Sequence, residues 1–505
     1  MGLYDGLWLG LRTLLRSAQD SFNFGMGCYM KRNSLGLITL LAVAVFSLSS
    51  CSGPVGGNVP PPPGTANFAV TVTDAPPAGA SFLSFNVPIT SVFLTSSTGT
   101  VVNVISPSSS IVLDMVRLQS DSASLGSVQI PADTYTSISF QLGVVNTIFS
   151  NSTASAIGSC AANSVCSLNS GTPPVQVITF ASPLTVTSNT NVGLNVDFNL
   201  NKAVTTANGI TIDFSQLGIL SVTNAPVLSG TLNTIEDFTG VVTFASGNNI
   251  TIMSGTRGTL TGAVTSSTTY NGIEQGATPA CGGTPNAACL AVNKTVSVDA
   301  TISSGGVVTI TEVDFLDTPF VDEVEGVIYP TSTPGVFDMI VSDKVNATTN
   351  SLLTPVSAGA KISITLDTNV EFDVDTRNLL ASIPSGFSST SDLAAGQEVM
   401  AHVKTATSGS LLNVLTDRII LRYSRVTGLV NTVSGTTFTF QQTSLPGFFG
   451  TFNSPPTVQT VTGVTAFDGV TDITGLANND TVSIRALYLH SNLQFPFQAA
   501  KVRKH

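Results

Sequence analysis

The residues best equipped for chemistry in this chain are acids. Glu312, Asp314, Asp317, Asp322, Glu323 and Glu325 fall within fourteen positions, and Asp367, Glu371, Asp373 and Asp375 within nine. Side chains alternate along an extended strand, so Glu371, Asp373 and Asp375 share one face, where like charges repel unless they are solvated or bridged by a cation. One reading is a solvated outer face that keeps a strand soluble and single. The sharper one is a Ca²⁺ site built from Asp367, Glu371, Asp373 and Asp375, because hard cations prefer several oxygens. No Asp-x-Asp-x-Asp-Gly loop accompanies these acids. The expectation is therefore no cofactor, with Ca²⁺ as the alternative.

Other catalytic signatures are missing. The three histidines are His402, His490 and His505, and none begins His-Glu-x-x-His; Gly-x-Ser-x-Gly, Gly-Lys and Cys-x-x-Cys are also absent. His402 lies in an alternating run, Val399 to Val403, and reads as a surface-facing strand residue. A glycosidase needs two carboxylates facing each other at about 5–10 Å, with aromatics to stack sugar. The acids exist, but Trp8 is the only tryptophan and there are seven tyrosines. That composition weakens carbohydrate chemistry.

Composition narrows the classes further. Only 10% of the 505 residues are charged, the net charge is −11, and Arg117 and Lys202 are the only basic residues between Ser52 and Ser254. A nucleic-acid binder needs several Lys or Arg to replace counterions along the phosphates, so that class is excluded. Ser, Thr and Asn solvate the surface instead.

The segment from Met30 has a basic start, Lys31-Arg32, an apolar run Leu35–Phe46, and then Leu48-Ser49-Ser50-Cys51. This is the anatomy of a secretory signal, and the run is too short for the roughly 20 residues of a spanning helix. It resembles the lipobox of bacterial lipoproteins. The resemblance implies a diacylglyceryl thioether on Cys51, cleavage after Ser50 and, with Ser52 next, an outer-membrane address in the cell envelope. Residues 1–29 precede the signal and read as a misassigned start or an N-terminal extension. Residues 51–65, with Pro60–Pro63, form a Pro/Gly-rich tether that favours polyproline II. Four cysteines remain, in two local pairs, Cys160 with Cys166 and Cys281 with Cys289. Export favours disulfides, and a four-cysteine zinc site would need two distant loops to meet.

Elements that could position these residues are strands. Val192, Leu194, Val196, Phe198 and Leu200 alternate with polar residues, as do Thr136, Ile138, Phe140 and Leu142, and Ser246-Gly247-Asn248-Asn249 reads as a hairpin turn. The chain is expected to be all-β: a sandwich over 66–226, a degenerate barrel over 227–320, and barrels over 321–424 and 425–505.

Val72-Thr73-Asp74-Ala75-Pro76, Val112-Leu113-Asp114 and Ile130-Pro131-Ala132-Asp133-Thr134-Tyr135 resemble the motifs of the domain of unknown function 4382 family. Asp133 and Ser139 stand where that family has Gly and Arg. Physically, Asp74 reads as the acid of a turn at a strand end, Pro76 as a residue that cannot donate to a ladder, and Tyr135 as a corner tyrosine tying a loop to its strand. Farther on, Asp392–Val399 recurs as Thr474–Val482, while Gly240-Val241-Val242, Gly326-Val327-Ile328 and Gly428-Leu429-Val430 open successive units. These units are similar to domain of unknown function 5666 and to small oligonucleotide-binding-type barrels. The expected function is a non-enzymatic envelope lipoprotein, held to the membrane by its lipid, that binds or scaffolds an envelope protein or polysaccharide. The alternative is an extracellular hydrolase using Asp/Glu pairs.

Overall fold

The computed structural model describes residues 64–505 except 106–110, 206–209, 223–225, 273–283, 318–320, 347–350, 352, 377–378, 380–385 and 451. The extension, the signal segment, nearly all of the tether with Cys51, and Cys281 lie outside the described residues. Strands make up 58% of the described residues and helix 6%. No helix among the described residues is long and apolar enough to cross a membrane. The description below concerns the compact unit Pro54–His505.

The first module is a two-sheet sandwich. In one sheet Thr65–Asp74 lies between Asn191–Phe198, its parallel partner, and Ala123–Pro131, its antiparallel one. Leu220–Val222 continues the sheet beyond Asn191–Phe198. The other sheet is built on the long strand Phe82–Ser96, which pairs with Thr134–Leu142, Asn146–Asn151, Val101–Ile105 and Ile111–Asp114. Period-two alternation fills the space between them: Val192, Leu194, Val196 and Phe198 are buried against Phe85, Val87, Ile89 and Phe140. Phe140 and Phe198 meet edge to face at 6.3 Å across the gap, a favoured aromatic geometry. Tyr135 donates its hydroxyl hydrogen to the Pro131 carbonyl at 2.8 Å, tying the turn at Ala132-Asp133 to its strand. A disulfide joins Cys160 and Cys166, and Cys289 is also disulfide-bonded.

Three five-stranded rings follow, with the same connectivity. The first uses Thr231–Ser246, Asn249–Ser254, Gly258–Gly272, Thr295–Ser303 and Val308–Asp317. The second uses Glu323–Pro330, Val336–Val345, Lys361–Val374, Glu398–His402 and Asn413–Leu421. Tyr423–Ser434, Thr437–Phe440, Thr457–Thr460, Thr481–Tyr488 and Phe497–Lys504 make the third. In each ring the opening strand pairs with the second and fourth strands, the second pairs with the third, and the fourth with the fifth, all antiparallel. The third and fifth strands then pair in parallel and close the ring. This is the Greek-key ring of oligonucleotide-binding-type barrels, and the fold carries no function by itself.

An opening strand that pairs on both sides must coil sharply. Gly240 and Gly326 sit where it does so, and a Cβ on either would run into the carbonyl oxygen of Met253 or Ile340 on the second strand. The loop entering the fourth strand takes a left-handed residue in the second and third barrels, Gly396 at φ 91° and Asn479 at φ 68°.

Candidate functional site

Few charges are available in this chain, and the fold gathers most of the arginines at the place where the sandwich and the three barrels meet. The first barrel contributes Glu236 and Asp237 from a bulge in its opening strand between Ile235 and Phe238. Asp237 has φ 48°, a left-handed backbone that turns both acids out of the ladder. Arg485 of the third barrel grips Asp237 through two bonds of 2.6 Å, and Arg425 donates to the same carboxylate at 3.0 Å. Lys501 reaches Glu236 at 2.8 Å.

The second barrel contributes Glu325, Glu398 and Asp375. Arg425 binds Glu398 at 2.7 Å, and Arg422 binds Asp375 and donates to Ser297 of the first barrel at 2.8 Å. The sandwich adds Arg117 from the short helix Met115–Leu118, capped by Asp114, whose carboxylate accepts from the Val116 amide at 3.1 Å. Arg117 stands 3.4 Å from Glu398 and 3.6 Å from Glu325, and donates to the Asp237 carbonyl at 3.0 Å. Asp121 of the sandwich pairs with Arg257 of the first barrel at 3.4 Å. Arg503 of the third barrel donates to the carbonyls of Leu118 and Asp121 at 3.1 and 2.9 Å.

Burial penalises a charge in general, and its partners decide the balance. Burial works against the Arg117 cation, but Glu398, Glu325, Asp343 and Asp237 raise its pKa and hold it charged. Burial would raise Glu325, yet Arg422 and Arg117 bring it below its ordinary value. Asp343 remains raised by burial, despite the nearby arginines and its bonds from Ser254 (2.6 Å) and Thr256 (2.7 Å). Breaking a buried pair by deleting one partner costs about 3–5 kcal/mol, because the other charge stays behind in a poor solvent. The junction is therefore a four-way lock in which each module neutralises the charges of the others.

Of the acids singled out in the sequence, Glu325, Asp367, Asp373 and Asp375 are drawn into ion pairs. Asp373 pairs with Arg418 at 2.6 Å, Asp375 with Arg422 and Asp367 with Lys404. Glu371 is exposed, whereas Asp373 and Asp375 are buried. The solvated-face expectation therefore holds for Glu371 and fails for Asp373 and Asp375, because neighbouring modules cover that end of the strand. Among the described residues no three His, Cys, Asp or Glu side chains converge in a way that would hold a metal ion. His402 is partly buried, with Nδ1 2.6 Å from the Asp417 carboxylate.

Beside the junction a cleft of about 410 Å³ opens between the sandwich, the first barrel and the third. One wall is the end of the parallel pair Thr65–Asp74 and Asn191–Phe198, whose outward side chains form a polar ladder. Asn67 donates to Asn191 at 3.0 Å, Thr71 to Asn195 at 3.1 Å and Thr73 to Asp197 at 3.0 Å. Asn233 of the first barrel extends the ladder by donating to Asn195 at 3.2 Å. Opposite stand Asp468, Arg503, Lys504 and His505 of the third barrel.

Asp74 also lines the cleft. It is 1% exposed, and neither carboxyl oxygen has a hydrogen-bond partner. Burial and then the neighbouring Asp197 push its pKa well up; the nearby Ala75 and Leu200 amides and Arg503 pull the other way. The Ala75 and Leu200 amides stand beside this carboxyl at the strand end without meeting hydrogen-bond geometry. The strand nonetheless ends there: Ala75 gives the last amide, to the Phe198 carbonyl at 2.9 Å, and Pro76 has none to give. Asp197 is half-buried and is raised by burial, against the Thr73 hydroxyl and Arg503. Sequence reasoning found Asp74 but missed Asp197, Asn195 and Asn233. The polar residues alternating with the Val192–Phe198 core face were the signal for the first two.

No curated protein matches the chain. Residues 65–215, which make up most of the sandwich and carry Asp74, Pro76 and Tyr135, match the model of the family described as Domain of unknown function (DUF4382).

Proposed function

We propose that this chain is a non-enzymatic lipoprotein of the bacterial cell envelope, anchored at the outer membrane through Cys51, whose sandwich and three barrels serve as a binding module. The single observation that carries the reading is the four-way junction. Seven arginines, at 117, 257, 418, 422, 425, 485 and 503, pair with carboxylates, and four of these pairings cross between modules. Such an arrangement fixes the relative placement of four modules and presents a polar cleft where three of them meet. Clefts at module boundaries are common binding sites. The Cys160–Cys166 disulfide supports an oxidising compartment. We read the barrels as repeats like those of domain of unknown function 5666, with an envelope protein or polysaccharide as the partner.

The hydrolase reading has less support. Asp74 and Asp197 stand on adjacent parallel strands, where Thr73 is the register neighbour of Asp197, so they belong to one wall. Carboxylates that cleave glycosides face each other across the substrate.

The test is expression in a double-membrane bacterium with labelled fatty acid, followed by fractionation and affinity capture from native membranes. The wild-type chain is expected to carry label, sediment with outer membrane and enrich a partner; Cys51→Ala should lose the label and leave the membrane fraction. An unlabelled cytosolic chain that turns over a metabolite overturns the proposal.

A further inference from the structure

We infer that the cleft between the sandwich and the first and third barrels binds a primary ammonium on a short alkyl stem, the chemistry of a lysine side chain, with Asp197 as its counter-ion. The inference deepens the binding-module reading and rests on it.

The argument is one of charge left over after internal pairing. Of the charged groups on the cleft walls, Arg503 is taken by Asp468 at 2.7 Å and Lys504 by Asp480 at 2.7 Å. His505 stands 2.7 Å from the Ser483 hydroxyl. Asp197 has no cation within ion-pair distance and accepts one hydrogen bond, to Oδ1 from Thr73. Behind it in the same wall, the buried Asp74 carboxyl has no hydrogen-bond partner. A buried polar group without a partner costs free energy, and binding sites are where such groups persist.

The shape of the wall chooses among cations. A guanidinium prefers both oxygens of a carboxylate in a parallel fork, and one oxygen of Asp197 is already engaged. A hard divalent ion takes six or more oxygens, whereas no three ligating side chains converge here among the described residues. An ammonium is a compact charge with three donors. It can take the free Asp197 oxygen, with the hydroxyl and amide oxygens of Thr73 and Asn233 as neutral neighbours on the wall. Val227 and Leu232 line the same cleft and suit the apolar stem that such a head carries.

A proton count follows. Asp74 and Asp197 are both raised by burial, and the groups that face them are each other, Arg503 and, across the cleft, Asp468, Lys504 and His505. A cation placed at Asp197 favours ionisation of both acids, so binding releases protons to solvent.

The experiment is calorimetry on the full chain at pH 6 in two buffers of different ionisation enthalpy, with Nα-acetyl-lysine amide as the probe. Nα-acetyl-norleucine amide, which has an apolar stem but no ammonium, is the control. The lysine probe is expected to bind saturably with proton release. The control should bind at least tenfold more weakly, as should the lysine probe to Asp197→Asn, and Asp74→Asn should reduce the protons released. Equal binding of the norleucine control to the wild-type chain overturns the inference without reference to any variant. So does no binding of the lysine probe, unchanged affinity in Asp197→Asn, or Ca²⁺ stabilising the wild type but not that variant. A chain that captures an envelope partner while ignoring the lysine probe leaves the binding module standing and the ammonium site refuted.

Discussion

The junction and the cleft lie side by side and treat carboxylates in opposite ways. At the junction Asp237 receives Arg425 and Arg485, and Glu398 receives Arg117 and Arg425. On the cleft wall Asp74 has no hydrogen-bond partner and Asp197 has the Thr73 hydroxyl. Both places are poor solvents for charge, so the difference lies in the partners supplied. A chain with 10% charged residues concentrates its arginines where modules must be locked, and leaves Asp74 and Asp197 outside any ion pair on the cleft wall. Charge neutralised within the fold marks architecture, and charge left over marks the place to look for function.

That contrast can be broken at the junction first. Asp237→Ala strands Arg485 and Arg425 in the interior and is expected to lower unfolding free energy by about 3–5 kcal/mol, the cost of orphaning a buried partner. Urea denaturation should show the loss. Arg117→Met keeps the length of the side chain but removes the sandwich's link to Glu325 and Glu398. About 3 kcal/mol is expected by the same reasoning, together with faster proteolysis between sandwich and barrels; an unchanged cleavage pattern would mean that the lock does not depend on this link.

At the cleft the same kind of change should do little harm, and its sign should depend on pH. The folded-state pKa of Asp74 is raised, so its contribution to stability is fully present below the ordinary carboxylate value near 4 and is lost as pH rises through the folded value. Asp74→Asn is expected to lie within about 0.5 kcal/mol of the wild type at pH 5, the usual range for changes that orphan no charge. Its melting temperature should then gain steadily on the wild type above that pH. A gap that shrinks as pH rises would show that Asp74 works as a paired anion. Asp197→Asn should change neutral-pH stability least, by less than about 0.5 kcal/mol, because the amide oxygen can still accept from Thr73; thermal melts check it.

The strands were legible because burial in a sheet has a period of two. Val192, Leu194, Val196 and Phe198 alternate in the sequence and are each 1% exposed or less. The openers Gly240, Gly326 and Gly428 could be found because a coiled opening strand needs the missing Cβ at the same place in each barrel. The junction could not be read. Arg117 meets Glu398 across 281 positions and Arg485 meets Asp237 across 248, and no local pattern encodes such pairs. Asp373 and Asp375 show the limit: alternation tells which residues share a face, but not whether another module covers it. The same holds for the cleft, whose walls come from strands that neighbour one another only after folding.

The parallel pairing inside the sandwich bears on how the chain comes into being. Thr65–Asp74 is hydrogen-bonded on both sides, to a strand that ends at Pro131 and to one that begins at Asn191. A polypeptide emerging from its amino end must therefore hold this apolar segment without its parallel partner until more than a hundred further residues have appeared, and contacts so distant in sequence form slowly. The Glu236 and Asp237 carboxylates likewise wait for Arg485 and Lys501. Until those arrive they remain hydrated anions on an unfinished surface, disfavouring premature collapse of the early modules onto one another.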